Sequence, residues 1–98
     1  MYLYVGCNGT VAALDPKAGT EVWRTTVVRG LVGAAQADIC ILEDGGRVFA
    51  GCYGEIVALD AQTGEELWRN TLSGMGYNDV TLAMAGKSVQ FVSTESSS

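Results

Sequence analysis

Apolar residues along this chain come in short runs that glycine and polar residues interrupt. The runs are rich in valine, isoleucine, leucine and aromatic residues, and none shows the 3.6-residue period of an amphipathic helix. Short runs bounded by turn residues predict β-strands. The predicted strands are residues 2–6, 10–14, 20–28, 38–42, 47–51, 55–59, 65–72, 79–84 and 88–93.

The polar interruptions predict tight antiparallel turns. Asn8–Gly9, residues 44–46 and residues 62–64 each contain a glycine that can adopt a positive φ without steric cost. Four short antiparallel strands within about 40 residues is the spacing of a β-propeller blade. The sequence therefore predicts an all-β fold of four-stranded propeller blades, with about two blades in the chain.

An internal repeat supports this prediction. Between residues 6 and 26, 11 of 21 positions are identical to the residue 45 positions later. A third, partial copy follows, because residues 79–93 repeat the pattern of residues 38–52 at a spacing of 41. We therefore divide a single module, residues 1–98, into repeat one (1–37), repeat two (38–78), a partial third repeat (79–94) and a polar tail (95–98).

The most similar part of the two repeats predicts a strand, a turn and a second strand. Asp60 begins the turn, where its carboxylate can accept hydrogen bonds from the amides of Gln62 and Thr63. Gly64 is predicted to take a left-handed conformation, and Trp68 lies on the following strand. A tryptophan buries on the order of 200 Å². Trp23 and Trp68 are therefore predicted to pack between neighbouring blades.

The pattern Ala-x-Asp-x-x-Thr-Gly-x-x-x-Trp resembles the tryptophan-docking motif of the PQQ-like (quinoprotein) repeat family. The second repeat matches it at every position, and the first has Ala18 in place of threonine. The resemblance implies a structural role for Ala13, Asp15, Gly19, Trp23, Ala58, Asp60, Thr63, Gly64 and Trp68. Members of this family include pyrroloquinoline quinone dehydrogenases, an outer-membrane assembly lipoprotein and many proteins of unknown role.

Catalytic features that the resemblance implies for the dehydrogenases are missing here. Those enzymes have a disulfide between adjacent cysteines, a Ca²⁺ held by Glu and Asn, and an Asp base. In this chain Cys7, Cys40 and Cys52 are far apart in sequence, and there is no histidine. All three thiols are predicted to pack in the core. We expect no catalytic residue, no cofactor and no metal site; the alternative is a fragment or relative of a quinone-dependent dehydrogenase.

Charge narrows the choice of partners. The net charge is −5 at pH 7, which argues against nucleic acid and anionic membranes because both select basic surfaces. No run approaches the roughly 20 apolar residues of a membrane helix, and no signal peptide is recognisable. If Met1 is the native start, the expected location is the cytoplasm, with reduced thiols.

The candidate ligand contacts are on the loops that lead into the innermost strands. These residues are Gln36, Asp38, Tyr77, Asn78 and Asp79. In propellers such loops surround one mouth of the central channel, where ligands bind. The simpler interpretation is that Asp38 and Asp79 only begin a strand.

Two blades are too few for a closed ring, which usually has 4–8. Either the chain is part of a longer protein, or several copies form one ring. Relatives of this repeat class commonly have eight blades, which implies a tetramer; three copies would give six. Residues 79–84 are predicted to join residues 2–6 of the next copy, whereas residues 88–93 have no predicted place. The predicted function is a non-catalytic scaffold or binding module that acts as a homo-oligomer.

Overall fold

The computed structural model describes residues 1–27, 39–52, 54–74 and 80–84. Within these residues the chain forms antiparallel strands and no helix. The strands are β1 (Leu3–Cys7), β2 (Thr10–Leu14), β3 (Glu21–Thr26), β4 (Cys40–Asp44), β5 (Arg47–Cys52), β6 (Glu55–Asp60) and β7 (Glu66–Asn70). The predicted all-β class is confirmed.

The strands form two sheets. The first has the order β1-β2-β3 and the second the order β4-β5-β6-β7. Two hairpins close with consecutive positive φ angles, at Asn8 and Gly9 and at Gly45 and Gly46. These are the conformations of a type I′ turn, whose twist matches that of the flanking strands. The turns predicted at Asn8–Gly9 and at residues 44–46 are therefore present.

The turns before β3 and β7 have the same geometry in the two sheets. The Asp60 carboxylate accepts hydrogen bonds from the amides of Gln62 (2.8 Å) and Thr63 (3.2 Å). The Asp15 carboxylate accepts the equivalent bonds at the same distances. The strand pairing next to the turn also contains a β-bulge in both sheets. The register shifts between Ala13 and Leu14 in the first sheet and between Ala58 and Leu59 in the second. The predicted Asx turn forms in both repeats.

The core lies between the two sheets. Val11 and Ala13 of the first sheet and Val48, Ala50 and Leu59 of the second are fully buried. The side chains of a strand alternate between its two faces, so each sheet contributes one face to this contact. The other face of each sheet points away from the core.

Several predicted strands differ from the structure in their bounds, and one does not form. Residues 80–84 of the predicted strand 79–84 form no strand, and only Met84 makes an isolated bridge. A strand is held by the hydrogen bonds of a neighbour, and no ladder forms along this segment. The strand predicted at residues 20–28 is Glu21–Thr26, because the Val27 amide leaves the ladder and donates to the Gly9 carbonyl. The strand predicted at residues 88–93 lies outside the described residues.

Gly64 is expected to tolerate alanine less well than Gly45. Both have positive φ, but a Cβ on Gly64 would lie 2.5 Å from Trp23 Cε3, whereas a Cβ on Gly45 meets nothing within 4 Å. We expect Gly45→Ala to lower the free energy of unfolding by about 1 kcal/mol, and Gly64→Ala to lower it by about 3 kcal/mol because a clash is added. Urea denaturation measures both; equal losses would contradict the contact.

Candidate functional site

The junction between the sheets is centred on Trp23. Its indole N–H donates a hydrogen bond of 3.1 Å to the Ala61 carbonyl, and its ring lies against Gly64. The Thr25 hydroxyl donates to the Gly64 carbonyl at 2.7 Å. Only 9% of Trp23 is exposed. The first sheet therefore holds the turn of the second through one large apolar surface and two hydrogen bonds.

Tyr4 adds a second donor to the same carbonyl. Its hydroxyl donates to Ala61 O at 3.1 Å, and its ring centroid lies 6.1 Å from that of Trp23. Burial raises the pKa of the Tyr4 phenol above its ordinary value, and the charge of Glu43 acts in the same direction. The phenol therefore stays protonated and remains a donor at neutral pH.

Trp68 has an equivalent aromatic neighbour within its sheet, but the part of the chain that the structure describes forms no sheet beyond it. It packs on Phe49 with centroids 6.0 Å apart, as Trp23 packs on Tyr4. Yet 45% of Trp68 is exposed. Its face of the second sheet, which we call the trailing face, contains Phe49, Gly51, Ala58 and Trp68. Side chains of Val80 and Leu82 lie over Gly51, and a Cβ there would be 2.6 Å from Val80 Cγ1.

The first sheet also has a face over which residues 1–27, 39–52, 54–74 and 80–84 place no other sheet. We call it the leading face, and it contains Leu3, Val5, Cys7, Ala12 and Leu14. All of these except Leu3 line an open depression of about 380 Å³. Leu3 is 53% exposed and Val5 is 39% exposed. Each apolar side chain of the leading face has a repeat-equivalent side chain in the second sheet. In the second sheet that equivalent side chain packs against the first sheet.

Repeat-equivalent residues show this difference directly. Val48 and Ala50, which correspond to Leu3 and Val5, are fully buried. Cys52 is buried, whereas the equivalent Cys7 is exposed. The predicted core position of Cys7 is therefore wrong, because no sheet formed by the described residues covers its face. Cys40 and Cys52 are buried as predicted.

An Arg–Glu ion pair lies next to each tryptophan, and the two pairs again differ in how exposed they are. Arg24 binds Glu21 at 2.7 Å, and Arg69 binds Glu66 at 3.0 Å and also Glu55 at 2.6 Å. The Arg24 side chain is 65% exposed and that of Arg69 is 21% exposed. Hydrogen bonding to Glu66 raises the pKa of Arg69. The better covered pair again belongs to the second sheet.

Two sheets with the same turn, bulge, tryptophan and ion pair are two copies of one structural repeat. Residues 7–97 match the family model described as outer membrane protein assembly factor BamB, a family of PQQ repeats. The chain belongs to this PQQ repeat family. No curated protein matches the chain. The predicted resemblance is thus confirmed, and the two sheets are consistent with blades of a PQQ-repeat propeller.

Within ranges 1–27, 39–52, 54–74 and 80–84, no three His, Cys, Asp or Glu side chains come together in a way that would hold a metal ion. In the same ranges no helix is long and apolar enough to cross a membrane. The predicted channel-mouth residues, Gln36, Asp38, Tyr77, Asn78 and Asp79, lie outside the described residues.

Some residues of the tryptophan-docking motif lie at the junction between the sheets, and others lie on the outer faces. Trp23 and Gly64 meet across the junction, whereas Trp68 and Gly19 lie on the two outer faces. Sequence reasoning missed the Ala61 carbonyl, Tyr4 and Thr25. The carbonyl leaves no side-chain signal. In the second repeat, Phe49 stands in the place of Tyr4 and Asn70 in the place of Thr25. The two hydroxyl groups therefore do not recur in the repeat and give no repeated pattern.

The two tryptophans are expected to differ in a mutational test. Trp23→Ala removes a buried ring and should lower the free energy of unfolding by about 3–5 kcal/mol at every protein concentration. Trp68→Ala should cost about 1 kcal/mol in dilute solution, because nearly half of this ring is already exposed. Urea denaturation over a range of chain concentrations measures both. If the two variants lowered the free energy of unfolding equally in dilute solution, Trp68 would have to make its contact within one chain.

Proposed function

We propose that this chain is a non-catalytic PQQ-repeat scaffold whose leading and trailing faces bind further copies of itself, so that two-sheet units complete a propeller. The correspondence between these faces and the two sides of the internal junction carries the proposal. Leu3 and Val5 stand where Val48 and Ala50 stand, and Trp68 stands where Trp23 stands. A surface that complements itself in this head-to-tail way forms rings or filaments.

The internal junction supplies a template for the contact between copies. Trp23 donates to Ala61 O and packs on Gly64; the repeat-equivalent residues are Trp68, Pro16 and Gly19. A proline retains its carbonyl acceptor, so the Trp68 indole can donate to Pro16 of a second copy. A Cβ on Gly19 meets nothing within 4 Å, which leaves room for the incoming ring.

Exposed apolar side chains favour contact between copies energetically. Leu3, Val5 and Trp68 are each more than a third exposed, although their equivalents are core residues. Burial of apolar surface stabilises by roughly 25 cal/mol per Å², and repeat units of this kind depend on their neighbours for a continuous core. Four copies would supply the eight blades common among relatives, and three would supply six.

A scaffold role is also supported by the family description, which names an assembly factor rather than a reaction. The sequence contains no histidine and no adjacent cysteines, so the general base most used in catalysis is missing. The candidate ligand contacts at the channel mouth, Gln36, Asp38, Tyr77, Asn78 and Asp79, remain a prediction of this proposal.

The non-catalytic role has a direct test. The purified chain is incubated with pyrroloquinoline quinone and Ca²⁺ and assayed with alcohols and sugars and a dye as electron acceptor. We expect no turnover above that of quinone and Ca²⁺ alone. Stoichiometric quinone binding with turnover would instead support the alternative, a fragment or relative of a quinone-dependent dehydrogenase.

Self-assembly is tested by native mass together with a substitution at Gly19, in the turn between β2 and β3. Wild-type chain should form a stable oligomer, most simply a tetramer, in sedimentation experiments at micromolar concentration. Gly19→Asn should abolish it, because the new side chain occupies the space that Trp68 of a second copy requires. Asparagine tolerates positive φ, so the turn at Gly19 (φ 78°) is retained.

Gly45→Asn is the matched control. Gly45 also has positive φ (61°) and open space around it, but it lies in the hairpin between β4 and β5. This variant should assemble like the wild type. A monomeric wild type would contradict self-assembly and favour further repeats of a longer chain as the partner of both faces. Equal assembly of the two variants would contradict the proposed contact at Gly19.

A further inference from the structure

Two tyrosines of the first sheet point toward the second sheet. Tyr2 and Tyr4 are two residues apart at the start of β1, and side chains at this spacing lie on the same face of a strand. Both pack against the core between the sheets. The Tyr4 hydroxyl donates to Ala61 O, in the turn after β6, so one end of this ring is fixed by the second sheet.

Three side chains of the second sheet face these tyrosines. Ile39, Ile41 and Glu43 are also two residues apart, and the two isoleucines pack against the same core. Glu43 lies opposite Val48, which is fully buried between the sheets. Directly opposite residues of an antiparallel pair share a face of the sheet. Glu43 therefore projects toward the first sheet, although its side chain remains exposed.

A cavity of about 400 Å³ lies where the two sets of side chains meet. This volume is within the range of small-molecule sites, roughly 300–1,000 Å³. The cavity, which we call the aromatic cavity, is lined by Tyr2, Leu3, Tyr4, Ile39, Ile41 and Glu43. It thus combines two aromatic rings, three aliphatic side chains and a single carboxylate.

The two rings form a corner of the aromatic cavity. The ring planes of Tyr2 and Tyr4 are inclined at 74°, and their centroids are 6.3 Å apart. The face of an aromatic ring carries partial negative charge, and a cation within about 6 Å of the centroid is attracted to that face. Two rings that meet nearly at right angles therefore present their faces to one cation from two directions.

Glu43 adds a full negative charge to the same cavity. Burial is the main cause of the raised pKa of Tyr4, and the charge of Glu43 is the next largest. The Glu43 carboxylate is therefore close enough to act on the Tyr4 ring through space. Tyr2 and then Asp60 act on the pKa of Tyr4 in the same direction. The potential at this end of the junction is thus negative, which favours a positively charged ligand.

The side chains that pack in the cavity recur in kind in the second repeat. The positions equivalent to Tyr4 and to the two isoleucines hold one aromatic and two aliphatic residues. These are Phe49, Val80 and Leu82. The last two also lie over Gly51, as the isoleucines lie over the equivalent glycine of the first sheet. Packing on the neighbouring sheet therefore accounts for these three positions.

Tyr2 and Glu43 do not recur in this way. Their repeat-equivalent residues are Arg47 and Met84. An arginine and a methionine thus stand in the places of the second ring and the carboxylate, so neither of these groups defines the repeat. Tyr2 and Glu43 are specific to the junction between the two sheets, and they supply the chemistry that attracts a cation.

We infer that the aromatic cavity binds a quaternary ammonium group carried by a small molecule. The two ring faces and the Glu43 carboxylate attract the positive charge, and the aliphatic walls contact the N-methyl groups. A primary ammonium such as that of lysine is strongly hydrated, and the aliphatic walls supply no replacement for that water. Every lining residue belongs to one chain, so the site does not depend on contact between copies.

Choline is the probe for this site. Its addition is followed by nuclear magnetic resonance of the Tyr2 and Tyr4 ring protons and of the choline N-methyl protons. We expect saturable shifts with a dissociation constant on the order of 1 mM, as for a small ligand in an open site. The N-methyl signal should move upfield because the methyl groups lie over ring faces. Absence of saturable shifts would overturn the inference.

The matched ligand is the neutral analogue in which carbon replaces the ammonium nitrogen of choline. It has the same shape and no charge, so it should bind on the order of tenfold more weakly. Equal binding would reveal an apolar cavity without selectivity for cations, and the inference would be wrong. The n-butylammonium ion should also bind more weakly than choline; equal binding there would contradict the preference for a methylated ammonium.

Glu43→Gln tests the carboxylate. The variant retains the shape of the side chain and removes its charge, so the affinity for choline should fall about fivefold. Glu65→Gln is the matched control, because Glu65 is also exposed but lies outside the cavity, in the turn before β7. Its affinity should equal that of the wild type. Equal losses in the two variants would indicate a general attraction to a negatively charged chain and would overturn the role of Glu43.

Tyr2→Phe and Tyr2→Leu separate the contribution of the ring from that of the hydroxyl. Phenylalanine keeps the ring face, so its affinity for choline should stay within about twofold of wild type, whereas leucine should lower the affinity about fivefold. Near-ultraviolet circular dichroism checks that each variant retains the packing around Trp23. Equal affinity of the two variants would show that the ring is not part of the site.

A peptide that contains trimethyllysine distinguishes a small molecule from a protein as the source of the ammonium group. We expect it to bind no more tightly than choline, since the cavity has the size of a small-molecule site. A dissociation constant on the order of tenfold lower than that of choline would overturn the assignment to a small molecule.

Discussion

The contact of the Trp23 indole with the turn after β6 holds this molecule together. An indole is mostly apolar, but its N–H must be paired when the ring is buried. The Ala61 carbonyl supplies that acceptor at 3.1 Å, and Tyr4 uses the same oxygen. The carbonyl has two lone pairs, so one oxygen satisfies the buried Trp23 donor and the partly buried Tyr4 donor. The arrangement excludes water from the outer end of the junction without leaving a polar group unpaired.

Glycines determine how closely the two sheets approach. At the outer end, Gly64 allows the Trp23 ring to lie directly on the backbone of the turn. At the inner end, Gly6 lets Ile39 and Ile41 approach a strand where any larger residue would collide with them. Both glycines recur 45 positions away, as Gly19 and Gly51. The repeat thus encodes a spacing between sheets as well as a sheet, and Gly6 and Gly51 are needed for close packing, not for a special φ angle.

Local features of the fold were readable from the sequence because they depend on neighbouring residues. The Asx turn at Asp60, the positive φ of Gly64 and the hairpin at Asn8–Gly9 each follow from one side chain or its absence. Contacts across the junction were harder to predict from the sequence. The Ala61 acceptor is a backbone atom, and the exposure of Cys7 depends on whether another sheet covers its face.

The proposed head-to-tail contact has a further consequence for a chain that contains two copies of one repeat. In the proposed assembly, each copy that binds through its leading face presents a new trailing face, so addition has no intrinsic stopping point. Whether growth ends depends on the rotation between successive sheets: a rotation that divides a full turn evenly closes a ring, and any other leads to a helical fibre. Small differences between the repeats, such as Thr10 in the place of Glu55 beside Arg69, alter the outer edge of a junction. In the proposed assembly, the choice between a finite particle and a polymer thus depends on the angle between successive sheets.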